Sequence, residues 1–245
     1  MARLICISSN SSGNSFAIDI GSEILLLEAG VKLSEVQKCI DFNLDRSVGC
    51  LISHVHGDHA KYSEDYAKHG VPIFCNGDVA EKKEFAFGSA CVLKEGETVS
   101  IGSFRVSPIL LYHDVPNYGY IVYHKEMGCL LFASDTYKMD AYIHGIDHWL
   151  IEANYDDRIL KVNVEDGKID RAQANRLMLS HMSIDNTVHY LHECEAEKSH
   201  NIILCHLSER NSDPDAFKNR VVGEFGVPTY IASRGLTVEL DNELI

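Results

Sequence analysis

Six consecutive residues, His54-Val55-His56-Gly57-Asp58-His59, carry four side chains able to bind a metal ion. A tight loop can turn His54 and His56 to one point and Asp58 and His59 to a second point close by. Neutral imidazole and carboxylate suit borderline divalent ions: Zn or Mn first, with Fe compatible. A polar loop that merely contains histidines is the bland account, and three His with one Asp at this spacing argue against it. A centre for two ions needs further ligands from distant segments. His113 ends the apolar run Ile109-Leu110-Leu111-Tyr112, Asp135 follows Leu130-Leu131-Phe132-Ala133-Ser134, and His206 follows Ile202-Ile203-Leu204-Cys205. Alone, each reads as a polar residue at a strand end. Together with the loop they read as a site.

Two divalent ions about 3.5–4 Å apart can hold a bridging hydroxide as nucleophile, align a phosphate and stabilise developing negative charge. No Ser or Cys nucleophile is then needed, but a leaving alkoxide still needs a proton. His181 is the candidate donor, because it lies outside the ligand set and just before Ser183, a helix-capping residue. Glu152, at the end of the strand predicted over His148–Ile151, is placed to hold His181 in its charged form. Asp58, His181 and Glu152 make up the catalytic set. Phosphate oxygens are also expected to meet free backbone amides at the helix start near Ser183.

These side chains need a frame that delivers them to one edge. Apolar runs predict strands at Leu4–Ser8, Phe16–Ile20, Ile24–Glu28 and Val48–Ile52, punctuated by Gly, Ser and Asn clusters. Further strands are predicted near Thr98–Ile101, Phe104–Leu111, Tyr118–Tyr123, Cys129–Ala133, Asn201–Cys205, Pro228–Ala232 and Leu236–Leu240. Ser34 is expected to cap a helix running to about Asp41. Ser183 opens a helix with Ile184, Val188 and Leu191 on one face. Asp213 and Pro214 open another, with Phe217, Val221 and Phe225 as its stripe and Gly226 as its stop. Strand meanders with a helical flank in each half predict two sheets packed face to face, helices outside.

Composition bounds the rest. The 245 residues, 45% hydrophobic and 24% charged, fit one soluble domain spanning 1–245. A net charge of −14 excludes a generic electrostatic grip on nucleic acid or an anionic membrane. It leaves a nucleic-acid substrate open, because bound ions make one pocket locally positive. The eight Cys form no CxxC pair and mostly lie in apolar runs, which predicts reduced thiols in a cytoplasmic protein. The N-terminus turns polar too early for a signal segment, and no apolar stretch is long enough to span a membrane. Nothing in the sequence sets an oligomeric state.

The arrangement HxHxDH (His54, His56, Asp58, His59) followed by distant His113, Asp135 and His206 resembles the metallo-β-lactamase superfamily over nearly the whole chain. The resemblance implies an α/β fold, an αββα four-layer sandwich of two mixed β-sheets flanked by helices, with the site at one edge. It also implies His54, His56 and His113 on one ion, Asp58, His59 and His206 on the other, and Asp135 bridging them. Ser12-Gly13-Asn14-Ser15, Glu152-Ala153-Asn154-Tyr155-Asp156, Ser180-His181-Met182-Ser183 and His206-Leu207-Ser208 are similar to motifs of the WalJ/YycJ-type branch. That likeness implies phosphodiester hydrolysis, specifically exonuclease action on DNA. Two positions depart from the branch: Glu28 stands where Asp is usual, and Ser180 where Gly is usual. The longer Glu28 side chain must fit beneath the His loop.

The competing readings are a lactone, thioester or cyclic phosphodiester hydrolase on the same scaffold, and a non-catalytic metal-binding protein. A good leaving group would leave Glu152 and His181 idle, and loss of ligands would be expected of a non-catalytic relative. For a polymer substrate, the neutral segment Ala153–Ser180 is relatively basic in an acidic chain. Tyr118, Tyr120, Tyr137 and Tyr155 are the aromatics available to stack on bases.

Overall fold

The computed structural model describes residues 1–86 and 88–241. Its strands are β1 (Arg3–Ser8), β2 (Ser15–Asp19), β3 (Ile24–Leu27), β4 (Ser47–Ile52), β5 (Ile73–Cys75), β6 (Ala90–Val92), β7 (Val99–Ile101), β8 (Phe104–Leu111), β9 (Asn117–His124), β10 (Gly128–Ala133), β11 (His148–Glu152), β12 (Asn201–Cys205), β13 (Thr229–Ile231) and β14 (Thr237–Glu239). They form two seven-stranded sheets, β14-β1-β2-β3-β4-β5-β6 and β13-β12-β11-β10-β9-β8-β7. Both sheets are mixed. The first is antiparallel from β14 to β3 and parallel from β3 to β6. The second is parallel from β10 to β13 and antiparallel from β7 to β10.

The helices are α1 (Leu33–Cys39), α2 (Gly57–Ala60), α3 (Ser63–Lys68), α4 (Gly77–Lys82), α5 (Asp157–Glu165), α6 (Arg171–Met178), α7 (Ile184–Glu193) and α8 (Pro214–Phe225). Side-chain alternation sorts them into layers. Leu25 and Leu27 meet Leu130 and Phe132 between the sheets. Ile24 and Leu26 face outward onto Val36 of α1, while Leu131 and Ala133 face outward onto Val188 of α7 and Phe217 of α8. Both faces of the central strands are therefore covered, which is why they read as continuous apolar runs. The result is the αββα sandwich. Among the described residues, no helix is long and apolar enough to cross a membrane.

Ser183 and Asp213 cap α7 and α8 as expected, and α8 stops at left-handed Gly226. Ser34 does not cap α1. The helix begins two residues earlier than a Ser34 cap would set it, with buried Leu33 leading and Lys32 at the cap position making no side-chain bond. The three-residue strands β5 and β6 are additions to the strands expected from the sequence. All eight Cys are free; five are buried, Cys39 and Cys129 half-buried, and Cys91 exposed.

Candidate active site

The parallel arrangement of β10, β11 and β12 sends their C-terminal ends to one edge, and the functional side chains leave the sheets there. β4 ends at Ile52 and the His loop turns over the edge into α2. His113 and Asp135 stand just past β8 and β10, Glu152 is the last residue of β11, and His206 follows β12 directly. His54, His56 and His113 bring ligand atoms within 4.8 Å of one another, and Asp58, His59, Asp135 and His206 form a second such group. Asp135 faces both. Its Oδ2 lies 3.9 Å from His54 Nε2 and 3.9 Å from His113 Nε2, while its Oδ1 lies 3.2 Å from His59 Nε2 and 2.6 Å from His206 Nδ1.

The donor set fits divalent ions. Nε2 of His54 and Nε2 of His206 are buried without a hydrogen-bond partner, a costly arrangement unless something accepts their lone pairs. Burial, reinforced by neighbouring His59, holds the His54 imidazole well below its ordinary pKa and so neutral, the form that ligates. Burial works against the Asp135 charge, yet His206 and His59 hold that carboxyl well below its usual range.

The loops beneath the cluster are tightly set. Glu28 is fully buried, accepts from Ser53 N at 3.2 Å and lies 3.5 Å from His59 Nδ1. The longer side chain is accommodated with the backbone in the left-handed region, φ +66°. Asp135 and His206 share that conformation at +54° and +53°, which for non-glycine residues costs about 1–3 kcal/mol each. Asn14 Nδ2 lies 3.1 Å from His59 Nε2 and 3.4 Å from Asp58 Oδ2. Gly30 makes this fit: a Cβ there would sit 1.8 Å from Asp58 O. His113 Nδ1 donates to Ser180 O at 2.9 Å, which turns its other nitrogen toward the cluster. That bond uses a backbone carbonyl, so serine in place of glycine leaves it intact.

His181 Nδ1 lies 2.6 Å from Glu152 Oε1. Glu152 is fully buried and anchored by Thr136 N at 2.9 Å and Met182 N at 3.3 Å. Burial opposes charge on His181, but the Glu152 carboxylate prevails and raises its pKa above the ordinary imidazole value. A cavity of about 430 Å³ opens over this assembly, with His56, Asp58, Asp135, His181 and His206 on one side and Arg176 on the other.

Some sequence expectations fail here. The start of α7 offers few free amides to a phosphate, because Ile184 N donates to Tyr155 O at 2.8 Å and Asn186 N to Ser183 Oγ at 3.2 Å. Tyr120 and Tyr155 are buried and stack on nothing external; the Tyr120 hydroxyl donates to Ile52 O. Tyr118 is half-buried and packs against the core between the sheets, and Tyr137 is half-buried as well. Asn14, Asp114 and Arg176 went unassigned in the sequence. Asp114 Oδ1 lies 3.1 Å from His113 Nε2 and 3.4 Å from His56 Nε2, and its Oδ2 lies 3.7 Å from Arg176 Nη2. Its position directly after His113 was the one signal available.

No protein-family model matches the chain. Its sequence is similar to exodeoxyribonuclease YycJ of Bacillus anthracis, 23% identical over 221 residues that cover 84% of this chain and 82% of that protein. It is also similar to exodeoxyribonuclease WalJ of Streptococcus pneumoniae, 24% identical over 223 residues that cover 84% of this chain and 81% of that one. Among solved structures, the metallo-β-lactamase fold protein YhfI from Bacillus subtilis superposes with a TM-score of 0.78 at 15% identity, covering 98% of this chain and 100% of that one. The chain thus has the metallo-β-lactamase fold, and in sequence it resembles the WalJ/YycJ-type branch of that superfamily.

Proposed function

We propose that the chain is a metal-dependent phosphodiesterase that holds two divalent ions, Zn or Mn, and acts on DNA as an exonuclease. The observation that carries this reading is His181, held 2.6 Å from the fully buried Glu152 carboxylate and lining the same cavity as His56 and His113 of one ligand group and Asp58, Asp135 and His206 of the other. The exodeoxyribonuclease names of the similar proteins supply the substrate class.

In this reading His54, His56 and His113 hold one ion, Asp58, His59 and His206 the other, and Asp135 both. When bound, such ions supply a nucleophile from water at neutral pH and offset the charge of the phosphate. His181 gives its proton to the departing nucleotide alkoxide, a poor leaving group as an anion. Glu152 orients the imidazole through Nδ1 and stabilises its charged form. Glu28 and Asn14 keep the His loop in place beneath the reacting phosphate. A thioester leaves without a proton and would give the Glu152–His181 pair no task. The eight free Cys accord with a cytoplasmic setting.

The test is a substrate panel. Purified protein supplied with Mn or Zn is offered single- and double-stranded DNA, RNA, a nitrophenyl phosphodiester and a thioester. DNA shortened from its ends, with the thioester intact, is the expected result. A thioester cleaved while every phosphodiester survives overturns the reading.

A further inference from the structure

A second cavity, of about 210 Å³, lies beside the catalytic one and is walled by Tyr137, Tyr142, Met182, Asn186, His189 and Tyr190. We infer that it holds a nucleobase of one of the two nucleotides flanking the scissile phosphate, an inference that rests on the nuclease reading above.

Its placement follows from the chain. Met182 directly succeeds His181, so this wall stands one Cα step, about 3.8 Å, along the backbone from the proton donor. Tyr137 lies two residues beyond Asp135, and its amide donates to the carbonyl of Tyr112, the neighbour of His113, at 3.0 Å. The cavity is therefore bounded by the same two segments that deliver a metal ligand and the acid.

Its walls suit a flat ring. The Tyr190 hydroxyl donates to Ala141 O at 2.8 Å, pinning the loop between β10 and β11 against α7. The Tyr142 ring leans on Tyr190, centroids 5.8 Å apart and planes at 36°, yet stays 49% exposed. Asn186, His189 and Tyr190 share one face of α7 by their i, i+3, i+4 spacing. Asn186 and His189 are exposed there, so an amide and an imidazole stand ready for the polar edge of a base. Lys138 on the rim is bonded to Asp140 at 2.8 Å and lies over the Tyr112 ring at 4.2 Å, so its charge is already engaged. An uncharged aromatic grip also suits this protein: at a net charge of −14, the base is the part of a nucleotide it can hold without electrostatic opposition.

The test measures KM and kcat on an oligonucleotide, intact or abasic at either nucleotide flanking the first scissile phosphate. Wild type, Tyr142→Ala and Tyr142→Phe are compared. Loss of one base–aromatic stack should raise KM on intact DNA on the order of fivefold in Tyr142→Ala, with kcat little changed. Tyr142→Phe, which keeps the ring, should stay near wild type. Removing the base at the held position should raise the wild-type KM by a similar factor, and no further in Tyr142→Ala, since both changes remove one contact. An unchanged KM in Tyr142→Ala, or an equal rise on intact and abasic DNA, overturns the subsite while leaving the nuclease reading standing. A wild-type protein that cuts no phosphodiester overturns both.

Discussion

The two walls of the cavity over the His and Asp cluster are built in opposite ways. One is made of strand ends: Asp135 and His206 line it, nearly buried, over His54, His59 and Glu152, which are fully buried. Its residues stand at or just past strand ends of the two sheets, and Asp135 and His206 hold strained left-handed backbone. The other wall is α6, which supplies Gln173, Arg176 and Leu177 and packs with α5 around a small cluster of their own, Tyr155, Leu160, Ile169 and Ala174, separate from the main cores. From it Arg176 reaches over the cavity with 79% of its side chain exposed, and among the described residues its one ion pair is the 3.7 Å contact with Asp114. Ligands that position ions need fixed, water-poor geometry. A surface that receives a polymer gains from side chains free to adapt, and an element with a small private core opens more easily than a sheet.

That contrast predicts a graded series of losses. The largest falls on the strand-end wall. Asp135→Ala removes the one carboxylate facing both ligand groups, so metal analysis should show both ions lost and activity on every substrate at background; His56→Ala should reduce the content but keep more of it. Unchanged metal in both variants would mean the cluster is misassigned. Next comes His181→Ala, which should keep its metals and lose about 10²–10⁴-fold on DNA, with much less lost on an activated nitrophenyl phosphodiester. Glu152→Gln should move the same way by a smaller factor. Equal losses on both substrates would give His181 a binding role instead.

Glu28→Ala sharpens the comparison from below the loop. It removes the support of Ser53 N and His59, and metal affinity should fall about 10–100-fold, with activity recovered in excess metal. Full activity at limiting metal would show that Glu28 is dispensable. The smallest effect belongs to the α6 wall. Arg176→Ala should raise KM for DNA a few-fold, leave metal content alone and change stability by no more than about 0.5 kcal/mol, since an exposed ion pair contributes little. A loss as large as that of His181→Ala would erase the distinction between the walls.

The same contrast governed what the sequence disclosed. The His loop is contiguous, and the ligands from the second sheet each end an apolar run, so the strand-end wall was readable from spacing and hydrophobicity. The central strands were readable for the same reason, being covered on both faces. The α6 wall was not. α5 and α6 carry mixed polar faces, and nothing local marks Arg176 as the residue that meets Asp114 across 62 positions of chain. Asn14 illustrates a third kind of gap. Its turn resembled a known motif, but its contact with His59 depends on Gly30 allowing three loops to close on one another. Tyr120 and Tyr155 misled because an aromatic in a strand or loop looks alike whether it faces solvent or core.

The central claim is that these two ligand groups form one centre and that the centre cuts phosphodiesters. Protein stripped of metal and titrated with Mn or Zn, with bound ion and DNA hydrolysis followed on the same samples, tests it most directly. The account predicts no hydrolysis without metal and a rise that levels off near two ions per chain, absent in Asp135→Ala. Hydrolysis that persists in stripped protein, or DNA that stays whole when two ions are bound, would contradict it.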